Sequence, residues 1–302
     1  MATASTETVL GSLQERRAAK QNGRGGAARA MSELRRNPIA LFGLALLVLL
    51  VLAAVFAGAI APYSPTEISA RDALQPPSWD HVMGTDNLGR DIFSRVLYGA
   101  RISLRVGLIS VGVGAVIGGL AGLISGYYRG WVDVVIMRLA DVMLAFPRLL
   151  LALLISFVLG PSLTNVMIAV GVAAVPEYAR LTRGSVLSAR ENLYVDAAHV
   201  VGCPDRIIML RHVLPNVFAP LLVVATLGIA WAMLAAASLS FLGMGAQPPT
   251  PEWGAMLSDG RNFLRRAWWI VTFPGLAIMV TVLVINVVGD GLRDALDPRI
   301  SD

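Results

Sequence analysis

The chain has 302 residues, 56% of them hydrophobic and 15% charged, where a soluble domain carries about 25% charged residues. With mean hydropathy at +0.66, one buried core cannot absorb the apolar residues, so the bilayer becomes their solvent. The net charge of +5 does not point to a nucleic-acid partner, because the arginines lie beside apolar runs, as membrane topology requires. A lone cysteine, Cys203, rules out an intrachain disulfide, and no metal-ligand cluster surrounds it.

Residues 1–38 are polar, rich in Ala and Gly, and basic through Arg16, Arg17, Lys20, Arg24, Arg29, Arg35 and Arg36. They read as a cytoplasmic tail. Residues 39–61 carry no charge and would form about 34 Å of helix, enough to cross the hydrocarbon core. Ala59-Ile60-Ala61 imitates a signal-peptide cleavage site. The apolar run and its basic lead are both longer than those of a signal peptide, so an uncleaved span is expected.

Residues 62–100 contain Pro, Gly and charges and form a loop outside the bilayer. Within it, D-N-L-G-R-D imitates a calcium loop, but Leu88 and Arg90 stand where oxygen ligands are needed. Over 91–100, Ile92, Phe93, Val96 and Leu97 share one helical face, with Asp91 and Arg95 elsewhere, which predicts an interfacial helix. The second span, about 104–127, is dense in glycine. Its Gly118 and Gly122 form a G-x-x-x-G pair that lets another helix approach closely.

A third span covers about 134–159, interrupted by Arg138, Asp141, Pro147 and Arg148. A fourth covers about 163–182 and carries Pro176 and Glu177. The polar stretch 184–214 follows, then a fifth span over about 216–243, the loop 244–268, and a sixth span over about 269–289 with a charged tail. Trp253, Trp268 and Trp269 suit an interfacial aromatic belt. Prolines stiffen Q-P-P-T-P-E-W, which could present a fixed surface to a docking partner. Six spans put both termini on one side. Seventeen of the 25 Arg/Lys fall on the N-terminal side, so both termini are expected to be cytoplasmic.

Absences narrow the chemistry. A Walker A loop needs a G-K-[ST] ending, and the one lysine, Lys20, sits in A-A-K-Q-N. Any ATP energy must come from a partner. No H-E-x-x-H or G-x-S-x-G occurs, so no catalytic residues are assigned. An ion-coupled carrier is the rival class, and it needs ionisable residues deep in the spans. Asp141 and Glu177 are the candidates, and the plainer reading pairs each with a nearby arginine such as Arg138 or Arg180.

Residues 188–215 are too polar to span. Residues 191–201 suit a short helix with Glu191 and Asp196 towards its N-terminal part, where negative charge is favoured. Ala197 and Ala198 would offer a surface without bulk. Gly202 can stop the helix, Pro204 lies just beyond, and Pro215 marks entry to the fifth span.

The spacing Asp196-Ala197-Ala198, three residues, Gly202, eleven residues, Leu214-Pro215 resembles the "E-A-A" cytoplasmic loop of ABC importer permeases. Asp196 stands in place of the family glutamate and His212 in place of an aliphatic residue. G-T-D-N-L-G-R-D-I-F-S-R-V-L-Y-G-A-R-I-S-L (84–104), F-L-G-M-G-A-Q-P-P-T-P-E-W-G-A-M-L (241–257) and G-D-G-L-R-D-A-L-D-P-R (289–299) resemble peptide-type permeases of that family. The likeness covers most of residues 32–302 and is nearest the second permease subunit of dipeptide importers.

The resemblance implies an all-α polytopic bundle of six transmembrane helices with the type I ABC importer permease fold. It also implies a bacterial plasma-membrane location, with the permease domain over 39–302. The partners would be a homologous permease subunit, two ATP-binding cassette ATPases and an extracytoplasmic solute-binding protein, with lipid around them. No cofactor is expected on this chain, since ATP and Mg would bind the ATPases. The resemblance assigns ATPase coupling to Glu191, Asp196, Ala197, Ala198, Gly202, Leu214 and Pro215. Dipeptides or short peptides are the implied cargo. Nickel complexes, haem or another small solute are carried by the same fold.

Overall fold

The computed structural model describes residues 38–296; the basic N-terminal tail expected over 1–38 falls almost wholly outside the described residues, as do the last six residues. Among the described residues the architecture is helical, with one isolated bridge between Thr85 and Asp91.

Helix α1 (Pro38–Val55) is apolar on every side, and Phe42, Leu49 and Leu52 stay outside the bundle, as suits a helix solvated by lipid. It bends at Phe56 and continues for one turn over Ala57–Ile60. Arg101 closes it, donating to the carbonyls of Ala54 and Val55 at 3.0 and 2.9 Å. A cation there complements the helix dipole, which explains a positive charge on a loop expected outside.

Helix α2 (Ile92–Tyr128) runs 37 residues without a break. Asp91 caps it, accepting from the Ser94 backbone N–H at 2.8 Å. The helix expected over 91–100, leading into the second span, forms the first turns of α2. Its Ile92 and Arg95 are 0% and 2% exposed, because the loop before it folds over them.

After a one-residue turn at Arg129 comes α3 (Gly130–Leu144), then α4 (Arg148–Leu159), bent from α3 by 92°. Pro147 has no backbone N–H to donate and disfavours a helical Phe146, so the expected third span is a broken one. Helix α5 (Leu163–Arg190) continues eight residues beyond the expected fourth span, passing Pro176. The short α6 (Leu193–Val200) follows. A π-helical stretch, Ile208–Val213, leads directly into α7 (Leu214–Phe241). Helix α8 (Trp253–Gly260) lies in the loop before α9 (Trp269–Leu296) and packs on both α7 and α9. Helix α9 takes in part of the expected charged tail. Helices α1, α2, α9 and the continuous stretch Asp205–Phe241 are long and apolar enough to cross a membrane, and the bent α3–α4 pair adds a fifth candidate.

The α2–α5 pair is the most extensive helix contact in the bundle. Glycines every four residues on α2 allow it. A Cβ on Gly118 would stand 2.5 Å from the Val175 carbonyl oxygen, and one on Gly122 would fall on that of Ala179. Gly171 on α5 returns the contact, with Ser110 and Val113 opposite. Lipid tails are as apolar as the side chains, so close backbone packing drives such pairs. Gly122→Val should force the helices apart and lower stability by about 1–3 kcal/mol, read as a fall in the melting temperature of purified protein. Gly112→Ala, with nothing within 4 Å of the added carbon, should leave it unchanged.

Candidate functional site

The ends of α2, α5 and α7 next to α6 meet in a small inner core of Leu123, Tyr127, Val186, Ala189, Val195, Ala198, Ile208, Val213 and Val217. This core holds α6 in place. Tyr127 donates to Asp205 at 2.8 Å, tying α2 to the segment that leads into α7. Asn216 donates to the His212 carbonyl at 2.7 Å and to the Tyr194 hydroxyl at 2.9 Å.

Helix α6 ends in a Schellman motif. The Gly202 N–H donates to the His199 carbonyl at 2.9 Å and the Cys203 N–H to the Ala198 carbonyl at 3.0 Å. Gly202 has φ +81°, a left-handed conformation that a side chain would strain.

The expected coupling residues do not all share one surface. Asp196 is exposed in the first turn of α6, and Ala197 is exposed beside it. Ala198, expected on the docking surface, faces inward and is 9% exposed. The helical period explains this, since Val195 and Ala198 lie three residues apart on the buried side. Glu191, expected inside the short helix, instead caps the end of α5. It lies 3.8 Å from Arg129 on an open surface. Leu214 packs against the inner core, while Pro215 starts α7 and is exposed.

The opposite side of α6 carries Leu193, Ala197, Val200 and Val201 at helical spacing. The three large ones are 84%, 87% and 82% exposed. That is an apolar stripe that none of the described residues covers. The signal was present in the sequence as an i, i+4, i+7, i+8 pattern, masked by buried residues between.

A series of ion pairs joins the bent α3–α4 unit to α5. Arg183 meets Asp133 through two bonds of 2.6 Å, and the Ser125 hydroxyl also donates to Asp133. Arg180 meets Asp141 at 2.5 Å, and Arg148 meets Glu177 at 2.5 Å. Both carrier candidates are thus ion-paired, as the plainer reading expects.

The outer loop is a buried polar network. Asp86 accepts from the backbone N–H groups of Leu88 and Arg90 at 2.8 and 3.0 Å, and from Arg90 Nε at 2.6 Å. Arg95 donates to the Pro65 carbonyl at 2.9 Å, and His81 Nδ1 lies 2.9 Å from Asp91. Two tryptophans expected in the interfacial belt are buried instead. Trp253 donates to the Val96 carbonyl and Trp269 to the Thr85 carbonyl, each at 3.0 Å. Trp268 is 52% exposed. Pro251 and Glu252 of the proline loop are buried too, which leaves Gln247, Pro248 and Pro249 at the surface.

Glu252 caps α8, accepting from the Gly254 and Ala255 N–H groups, each at 2.9 Å. Burial pushes its carboxyl above the usual carboxylate range, and the two backbone bonds oppose that. The Ser103 and Ser240 hydroxyls lie beside it without completing hydrogen bonds.

Residues 118–302 match the family described as "Binding-protein-dependent transport system inner membrane component", and residues 27–77 match "N-terminal TM domain of oligopeptide transport permease C". The chain belongs to the binding-protein-dependent inner membrane permeases. The permease is 48% identical over 270 residues to the dipeptide transport system permease protein DppC of Alkalihalophilus pseudofirmus, covering 89% of each chain. It is 49% identical over 267 residues to the glutathione transport system permease protein GsiD of Escherichia coli, covering 88% of each. Its fold resembles the inward-facing MetNI methionine ABC transporter at TM-score 0.54 and 18% identity, covering 67% of the permease and 96% of that chain. The type I importer fold follows, and the permease is a multi-pass membrane component of a transporter rather than an enzyme.

The outer cap of the permease should depend on Glu252. Glu252→Ala leaves one buried and one partly buried N–H group without their acceptor and should cost about 1–2 kcal/mol, read as an earlier thermal unfolding transition. Glu252→Gln keeps an acceptor and should lose less.

Proposed function

We propose that the permease forms half of the translocation pathway for dipeptides or short peptides. It pairs with a homologous permease, receives cargo from an extracytoplasmic binding protein, and is driven by two ATPase subunits. The relatives named for dipeptide and glutathione transport support the cargo class. The observation that carries the mechanism is the exposed stripe Leu193–Ala197–Val200–Val201 on α6. Apolar side chains held in water outside a bundle are a docking surface, and the inner core on the other side of α6 passes its motion to α2, α5 and α7. ATPase closure then rocks the two permeases between inward and outward access. Asp196 sits beside the stripe, and Gly202 sets where it ends. We read the chain as six spans with both termini in the cytoplasm of a bacterial cell. Helix α5 is the span that falls short on hydropathy, because Glu177, Arg180 and Arg183 lie along it.

Three experiments test this. The purified permease alone should not hydrolyse ATP, and the full complex should do so faster with loaded binding protein. Ala197→Trp places bulk on the stripe and should abolish ATPase association or ligand stimulation, with normal membrane insertion. Ala198→Trp should instead disrupt the inner core and lower yield. Parental transport by Ala197→Trp would remove the coupling assignment. For topology, a cysteine at exposed Ser78 should label from outside intact cells, while one at Ser188 should label only after the membrane is opened. Outside labelling at Ser188 would refute the six-span orientation.

A further inference from the structure

Helix α5 has 28 residues, so it is about 42 Å long against a hydrocarbon core of about 30 Å. Glu177 sits near its middle. Wherever the surplus length protrudes, Glu177 lies at least about 7 Å inside either boundary. Its side chain is nevertheless 51% exposed, and that of its partner Arg148 is 26% exposed. About one turn further in, Arg180 and Asp141 are 54% and 46% exposed. Ionic groups at such depth do not face lipid; they face a protein interior or a water-filled cavity.

A second observation points to the same place. Ala145, Phe146 and Pro147, between α3 and α4, are non-helical and exposed. Arg148, the first residue after the corner, bonds Glu177 at 2.5 Å, so the corner shares the depth of Glu177. Irregular backbone there is tolerated only inside protein or beside water. The corner delivers Arg148 to Glu177, and Trp231 of α7 backs the guanidinium at 3.4 Å from its ring centroid. Arg148 Nε has no hydrogen-bond partner.

We infer that the corner Ala145–Arg148, with Glu177 and Trp231, is a mid-membrane station on the translocation path that receives the charged ends of a peptide. This rests on the peptide-import reading. Arg148 takes the carboxylate and Glu177 the ammonium group. Opening the Arg148–Glu177 pair exchanges one ion pair for two, so the net gain is small. Weak holding suits a path, where cargo must leave as readily as it enters. Trp231 keeps the guanidinium in place during the exchange through a cation–π contact. Further in, a recess of about 490 Å³ lined by Asp133, Met137, Arg138, Asp141, Arg180 and Arg183 carries both charge signs towards the inner side.

The test uses the assembled complex on a Cys203→Ser background, which removes the one thiol of this chain, and reads labelling on the permease band alone. A membrane-impermeant cationic thiol reagent, with both sides accessible, should modify Phe146→Cys and leave Leu49→Cys on α1 unmodified. Separately, Glu177→Gln should lower peptide taken up per ATP hydrolysed by about tenfold, the size of one lost contact to a charged group. Glu177→Asp should restore most of it. Co-purification of each variant with its partners controls for assembly. An unreactive Phe146→Cys means that lipid or the partner permease seals the corner, and overturns the inference. Parental uptake by Glu177→Gln overturns it too. If the parent complex takes up no peptide, the peptide-import reading fails, and the station's assigned cargo with it. The labelling result still decides whether the corner is aqueous.

Discussion

The bundle depends on one close approach, backbone against backbone, between α2 and α5. Residues 118 and 122 of α2 lie where even a methyl group would meet a carbonyl of α5. In lipid, no hydrophobic gain separates a good helix pair from a loose one, so contact distance is the source of affinity. The same approach fixes the rotation of α5. One side faces the glycines of α2, and another carries Glu177, Arg180 and Arg183 to the α3–α4 unit. Helix α5 then runs on to Arg190 and sets α6 just beyond it.

Charge is handled differently at the two ends. The outer loop buries Asp86, Arg90, Asp91 and Arg95 almost completely, and backbone groups and partners satisfy them. Removing one member of such a network leaves the rest uncompensated, so it acts as a unit. The ion pairs inside the bundle are more open than that network, from 15% to 54% exposed. Exposed pairs contribute little to stability, which makes these the weaker braces.

Helix α6 has two sides with separate duties. Val195 and Ala198 anchor it to the inner ends of three long helices, while Leu193, Val200 and Val201 face out. The Schellman motif at Gly202 stops the helix after two turns and returns the chain to α7. A short, rigid, two-sided element suits the transmission of force, since it cannot roll without disturbing its own core.

Composition and hydrophobic runs were enough for the membrane class and the apolar helices, because these follow from solvation of single segments. The G-x-x-x-G spacing likewise foretold a close helix pair, since small residues act alike wherever they occur. Motif likeness pointed to the segment that we propose couples to the ATPases. What the sequence could not place were facings and junctions. Trp253 and Trp269 have the composition of a belt but lie buried against Val96 and Thr85, since the loop that covers them is far away in the chain. Ala198 turned inward and Leu193 outward because the inner core, gathered from three helices, decides which side of α6 is wet. The burial of Ile92 and Arg95 beneath the preceding loop, and the 92° corner at Pro147, were settled by packing. A lone segment samples many orientations, and only its neighbours, through contact distance and burial of polar groups, select one.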